Sequence, residues 1–81
     1  MPISEPELRA LVAKISQVPP ENIRAESRFT VELRMDSLAS LDLLTALEED
    51  HGVIVSQADA RTIQTFGQLV EHVRRRADTP A

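Results

Sequence analysis

Few side chains in this sequence of 81 residues are equipped for chemistry. It has no Cys, Trp or Tyr, and its two His are His51 and His72. Without Cys there is no thiolate nucleophile, no thiolate metal site and no disulfide framework. A Ser–His–Asp arrangement can be drawn from Ser37, His51 and a carboxylate, but the sequence does not support it. Ser37 lacks the flanking glycines of a nucleophile elbow and runs straight into a helical pattern. His51 would then stand roughly three to four turns away on the same helix. Neither His pairs with a second ligand at metal-site spacing, and the carboxylates do not follow a calcium loop. Each His reads as a surface residue. Ser37 remains. Asp36-Ser37 is an ordinary helix start, with Asp36 as the cap. Its setting is less ordinary, because it follows a long loop. At a helix N-terminus, free N–H groups and the dipole favour a phosphate ester.

Charge supports this focus. Between residues 35 and 60 lie Asp36, Asp42, Glu48, Glu49, Asp50 and Asp59, with no Lys or Arg. That window carries −6, so the remainder of a chain of net charge −4 carries +2. At about 100° per residue, Leu38, Asp42, Thr45 and Glu49 form one narrow stripe of the helix. Leu43, Leu44 and Leu47 fall on the opposite side, which is expected to be buried. A solvated face usually mixes signs and gains i, i+4 pairs. A single-sign face around an apolar residue suits steering towards a basic partner.

The elements that position these residues are legible. Ser4-Glu5-Pro6-Glu7 has the capping-box pattern, with Ser4 accepting from the Glu7 N–H and Glu7 reaching back. Leu8, Leu11, Val12 and Ile15 follow at helical spacing, and Pro19-Pro20 stops the run. Helix I is expected over about residues 4–17. Residues 18–35 read as a long connection pinned by Ile23, Phe29, Val31 and Leu33; loops of this length are commonly functional. Helix II is expected over 37–51, capped by Asp36 and stopped by Gly52. Val53-Ile54-Val55 suits a strand but has no partner strand, so an extended connector is expected. Residues 56–61 allow one or two short helical turns. Thr65-Phe66-Gly67-Gln68 is a second capping box, and Phe66, Leu69, Val70 and Val73 give helix IV over about 66–76. Arg74, Arg75 and Arg76 fall in its last turn, and residues 77–81 are expected to fray.

Composition narrows the function. One domain spanning residues 1–81, with an ordered core over about 4–76, suits this length. Its core must be aliphatic, with Phe29 and Phe66 as the large rings. No signal peptide or bilayer-length apolar run is visible, so a cytoplasmic chain with no membrane partner is expected. Net acidity argues against nucleic acid.

With these residues in view, the sequence resembles the acyl carrier protein family. Leu33-Arg34-Met35-Asp36-Ser37-Leu38 is similar to the family's attachment motif, whose Asp-Ser-Leu serine is esterified with 4′-phosphopantetheine. Phe29 to Leu33 resembles the hydrophobic anchor before that motif. Leu43 to Glu49 resembles helix II, including the Ala-Leu-Glu-Glu run. Val55, Asp59-Ala60, Ile63, Thr65 and Phe66 fall where the family has a short helix III and the start of helix IV. The resemblance spans about Glu7 to Val73. It implies an all-α four-helix bundle, with three main helices, a short helix III and a long loop between helices I and II.

The resemblance also implies roles. Ser37 would carry covalent 4′-phosphopantetheine, and Asp36 would assist a phosphopantetheinyl transferase near its magnesium ion. Leu38, Asp42, Glu48 and Glu49 would contact that transferase and the acyl-loading and acyl-processing enzymes, through basic docking surfaces. Leu43, Leu44, Leu47, Val55, Ile63 and Phe66 would line an interior able to shelter an acyl chain. The chain itself would be a non-catalytic, monomeric carrier serving fatty-acid or polyketide biosynthesis, and its Met1 start and short tails suggest a discrete protein.

Three positions depart from the family pattern. Arg34 stands where a glycine is usual, Ala39 where an acid is common, and Asp42 where a Glu is usual. This thinned acidity near Ser37 suggests a dedicated carrier. Met35-Asp36-Ser37 differs from the Gly-Gly-x-Ser of peptidyl carriers, although some aminoacyl and D-alanyl carriers show Asp-Ser. A different class of reading is an unmodified module that binds a basic partner through the acidic helix.

Overall fold

Every helix start that the sequence marks is closed by the side chain it named. The computed structural model describes residues 3–78, with side chains described through residue 75. The helices are α1 (Glu5–Ser16), α2 (Ser37–His51), α3 (Gln57–Thr62) and α4 (Phe66–Asp78). Ser4 Oγ accepts from the Glu7 N–H at 3.2 Å. The Glu7 carboxylate takes the Ser4 hydroxyl, at 2.9 Å, rather than the backbone N–H expected of the box. Asp36 Oδ1 accepts from Ala39 N–H at 2.8 Å, and Ser56 Oγ from Asp59 N–H at 3.1 Å. The Thr65/Gln68 box is reciprocal. Thr65 Oγ1 accepts from Gln68 N–H at 3.2 Å, and Gln68 Oε1 from Thr65 N–H at 3.1 Å. Such caps contribute about 1 kcal/mol each.

Helix ends follow the same logic. α2 stops at Gly52, whose φ of 67° lies in the left-handed region. α1 stops at Gln17, which adopts a φ of 63° without being glycine, and its N–H bonds Ala13 O at 2.8 Å. The Val53–Val55 segment is an extended connector, and the described residues contain no strand. α4 runs through Asp78, so residues 77 and 78 continue the helix. Residues 79–81 and the Arg76 side chain lie outside what is described.

The connection from α1 to α2 contains a short 3-10 turn at Pro20–Asn22 and then packs onto the start of α4. Phe66 N–H donates to Ser27 O at 3.0 Å, Gly67 N–H to Ala25 O at 2.8 Å, and Phe29 N–H to Gln64 O at 3.0 Å. The loop thereby supplies acceptors to N–H groups that a helix start leaves without partners. Arg28 and Thr65 form an isolated antiparallel bridge in the same region. Gly67 is needed for this approach, because a Cβ there would stand 2.9 Å from Ala25 O. Arg9 ties α1 to both neighbours. Its Nε donates to Ile23 O at 3.2 Å, and its guanidinium lies 5.1 Å from the Phe66 ring centroid.

The core joins Leu8 and Val12 of α1, Leu43 and Leu47 of α2, and Phe66, Leu69, Val70 and Val73 of α4. Ile23, Phe29, Leu33 and Met35 seal it from the loop, together with Ile3 and Val53. Fully burying one such side chain contributes about 1.5–3 kcal/mol. Two expectations are corrected. Val31 does not pin the loop, because it is 55% exposed. Its place in a turn, between buried Phe29 and Leu33, points it outwards. His72 is not a surface residue; it is 6% exposed, one position from Val73 on the inner side of α4, with Nε2 3.4 Å from Ile54 O.

Candidate functional site

The loop–α2 junction sets the site. Phe29 and Met35 are buried, and Met35 N–H donates to Phe29 O at 2.6 Å, closing the loop just before the helix. Between them, Arg34 adopts a φ of 51°. A side chain in that left-handed conformation costs roughly 1–2 kcal/mol. This explains in backbone terms why a glycine suits the position. Asp36 is then extended and caps α2 through Ala39, and Ser37 is the first helical residue.

Ser37 is exposed at that N-terminus. It opens onto a groove of ≈ 500 Å³ lined by Thr30, Met35, Asp36, Ser37, Ser40, Leu41 and Leu44. A second cavity of ≈ 410 Å³ lies between the loop, α2, α3 and the start of α4. Thr30, Ser40 and Leu44 line both, so the two spaces adjoin.

The remaining sequence-named residues separate into two faces. Leu38 is 73% exposed, and Asp42, Thr45 and Glu49 are exposed with it, so the stripe faces solvent. Glu48 and Asp50 are exposed beside it. On the opposite side Leu43 and Leu47 are buried, whereas Leu44 is half-buried and lines the cavities. Of the expected interior set, Leu43, Leu44 and Ile63 line the second cavity. Leu47 and Phe66 belong instead to the solid core, and Val55 packs half-buried against it. Periodicity alone does not distinguish a cavity wall from a packed core.

His51 ends α2, about 20 Å along the axis from Ser37. The two cannot form a hydrogen-bonded pair, so the Ser–His–Asp arrangement is not assembled. No cluster of three or more His, Asp or Glu suited to a metal ion occurs among the described residues. No helix among them is long and apolar enough to cross a membrane.

Sequence reasoning missed several residues at the site. Leu41 is 59% exposed and adjoins Leu38, doubling the apolar spot. Its angle on the helix wheel, between the acidic stripe and the cavity side, could have placed it there. Thr30 and Ser40, shared by both cavities, and Arg28 and Arg61 on the inner one carry no periodic signal.

Comparison with known proteins decides the family. Residues 6–73 match the family model described as "Phosphopantetheine attachment site". The chain belongs to this family. It is 31% identical over 70 residues to an acyl carrier protein of Thermosynechococcus vestitus, covering 86% of each chain. It is 29% identical over 72 residues to the acyl carrier proteins of Chlamydia trachomatis and Chlamydia muridarum, covering 89% of this chain and 94% of theirs. The chain is thus an all-α member of the acyl carrier family, whose prosthetic group is 4′-phosphopantetheine.

The geometry around Ser37 fits that group. Ser37 is exposed and lines the groove. Its helix end offers free N–H groups and positive dipole charge to a phosphodiester. The adjoining groove gives an elongated arm room to lie against Leu41 and Leu44.

Proposed function

We propose that this chain is a non-catalytic acyl carrier whose Ser37 holds 4′-phosphopantetheine and presents acyl intermediates to fatty-acid- or polyketide-type biosynthetic enzymes. The observation that carries the reading is the junction itself: an exposed serine at the first position of an N-capped helix, opening onto a groove that adjoins a second cavity. When attached, the prosthetic group supplies a thiol that holds an acyl group as a thioester. The chain has no Cys of its own for that purpose.

The protein's own contributions follow from placement. Attachment forms an O–P bond at Ser37 as the pyrophosphate bond of coenzyme A breaks and its nucleotide half leaves, so the serine hydroxyl must be open to an enzyme that takes its proton, and Ser37 is exposed. Asp36 fixes the helix start under that hydroxyl, and its second carboxylate oxygen is available to a transferase-bound magnesium ion. Leu38, with Leu41, offers an apolar contact flanked by Asp42, Glu48 and Glu49.

The charge placement supports docking rather than stability. Glu48, Glu49 and Asp50 crowd the last turn of α2, where the dipole disfavours negative charge by about 0.3–1 kcal/mol per residue. No salt bridge among the described residues involves an acid of α2. Their benefit therefore lies outside the folded chain, in attraction to cationic surfaces of a phosphopantetheinyl transferase and of acyl-loading and acyl-processing enzymes. Incubation with coenzyme A and a broad-specificity transferase, followed by intact-mass measurement, tests the reading. One phosphopantetheine should be gained by the wild type and none by Ser37→Ala.

A further inference from the structure

The inner cavity has a charge that the carrier reading does not use. Its ≈ 410 Å³ lies within the range of small-molecule sites, about 300–1,000 Å³. Leu43, Leu44, Ile63 and Leu69 supply apolar wall. Arg28 and Arg61 also line it, and no Asp or Glu does. This is a local reversal of sign, since the two arginines flank a space beside the −6 window in a chain of net −4. Neither guanidinium joins a salt bridge among the described residues, and both side chains are exposed. They add nothing to docking on a cationic partner, which they would oppose. Arg28 comes from the loop and Arg61 from α3, 33 positions apart in sequence, and the fold places both in the lining of one cavity. The space they flank adjoins the groove at Ser37 through Thr30, Ser40 and Leu44.

We propose, resting on the carrier reading, that the cavity receives an acyl chain whose far end bears a carboxylate. Its methylenes lie against Leu43, Leu44, Ile63 and Leu69, and its terminal carboxylate meets Arg28 and Arg61. A methyl-ended chain uses the same apolar wall but gains nothing from the cations. The guanidiniums are solvent-accessible, so the preference is modest and screened by salt.

The test loads the protein through a transferase with two acyl-pantetheine groups of equal length, one ending in a carboxylate and one in a methyl. The rate of thioester cleavage by hydroxylamine is measured for each and normalised to the same free pantetheine thioester. The carboxylate-ended chain should be cleaved about three- to fivefold more slowly at low salt, with the difference shrinking at high salt. In Arg28→Gln/Arg61→Gln, whose exposed side chains carry no fold contacts of this kind, that advantage should vanish while loading and circular dichroism stay unchanged. Equal cleavage of the two chains on wild type, or a preference that survives in the double variant, overturns the proposal and leaves the carrier reading standing. Failure of both groups to load overturns both.

Discussion

Replacing Arg34 with glycine should make the protein more stable, although it deletes a side chain three residues before Ser37, the proposed attachment serine. Arg34 has a φ of 51°, where a Cβ crowds the following carbonyl and costs roughly 1–2 kcal/mol. Glycine removes that cost but loses about 0.5–1 kcal/mol through its freer unfolded chain. Arg34 is exposed and joins no salt bridge among the described residues, so little else changes. The net expectation is a gain of about 0.5–1 kcal/mol. For a domain of this size that raises Tm by about 2–8 °C. Arg34→Ala is the control, because it removes the charge and keeps the Cβ, and it should stay within about 0.5 kcal/mol of wild type. Thermal and urea unfolding followed by circular dichroism would measure both. If the glycine variant is no more stable than the alanine variant, the backbone account of position 34 is wrong and the charge of Arg34 matters instead.

Substitutions at four other positions probe the site and its support. Asp36→Ala should lose the α2 cap and about 1 kcal/mol of stability, while Asp36→Asn keeps an acceptor and most of that stability. Modification by a transferase should slow in both, which separates capping from the metal-facing role. Gly67→Ala should destabilise by about 1–2 kcal/mol in denaturant titrations despite alanine's higher helix propensity, because its Cβ would press on Ala25 O. Charge reversal at Asp42 or Glu49 should slow transferase modification by about threefold or more at low salt and flatten its salt dependence, with the helical spectrum retained. Unchanged kinetics at low salt would remove the case for steering.

What the sequence made legible was what rests on local chemistry. The bounds of α2 follow from Asp36 and Gly52, each of which acts on its own backbone, and the expected 37–51 matches Ser37–His51. The Thr65/Gln68 pair placed α4 in the same way, whereas α3 was expected only as one or two short turns over residues 56–61 and its Ser56 cap came from the structure. What stayed hidden depends on residues far apart in the chain. The loop's docking onto α4, through Ser27 O and Ala25 O, has no periodic signature. His72 is polar by type and buried because a neighbouring segment offers it the Ile54 carbonyl. The backbone strain at Arg34 was readable only as a departure from a family pattern, until the φ value gave its physical cause. The cations of the inner cavity lie on separate elements, and only the fold brings them together.

The central claim is that Ser37 is the attachment point. Intact-mass spectrometry after incubation with coenzyme A and a phosphopantetheinyl transferase tests it most directly, with peptide mapping of the product. The expected result is one added phosphopantetheine on the peptide containing Asp36-Ser37-Leu38, and no addition to Ser37→Ala. A wild-type mass unchanged across several transferases, or an addition that persists in Ser37→Ala, would contradict it.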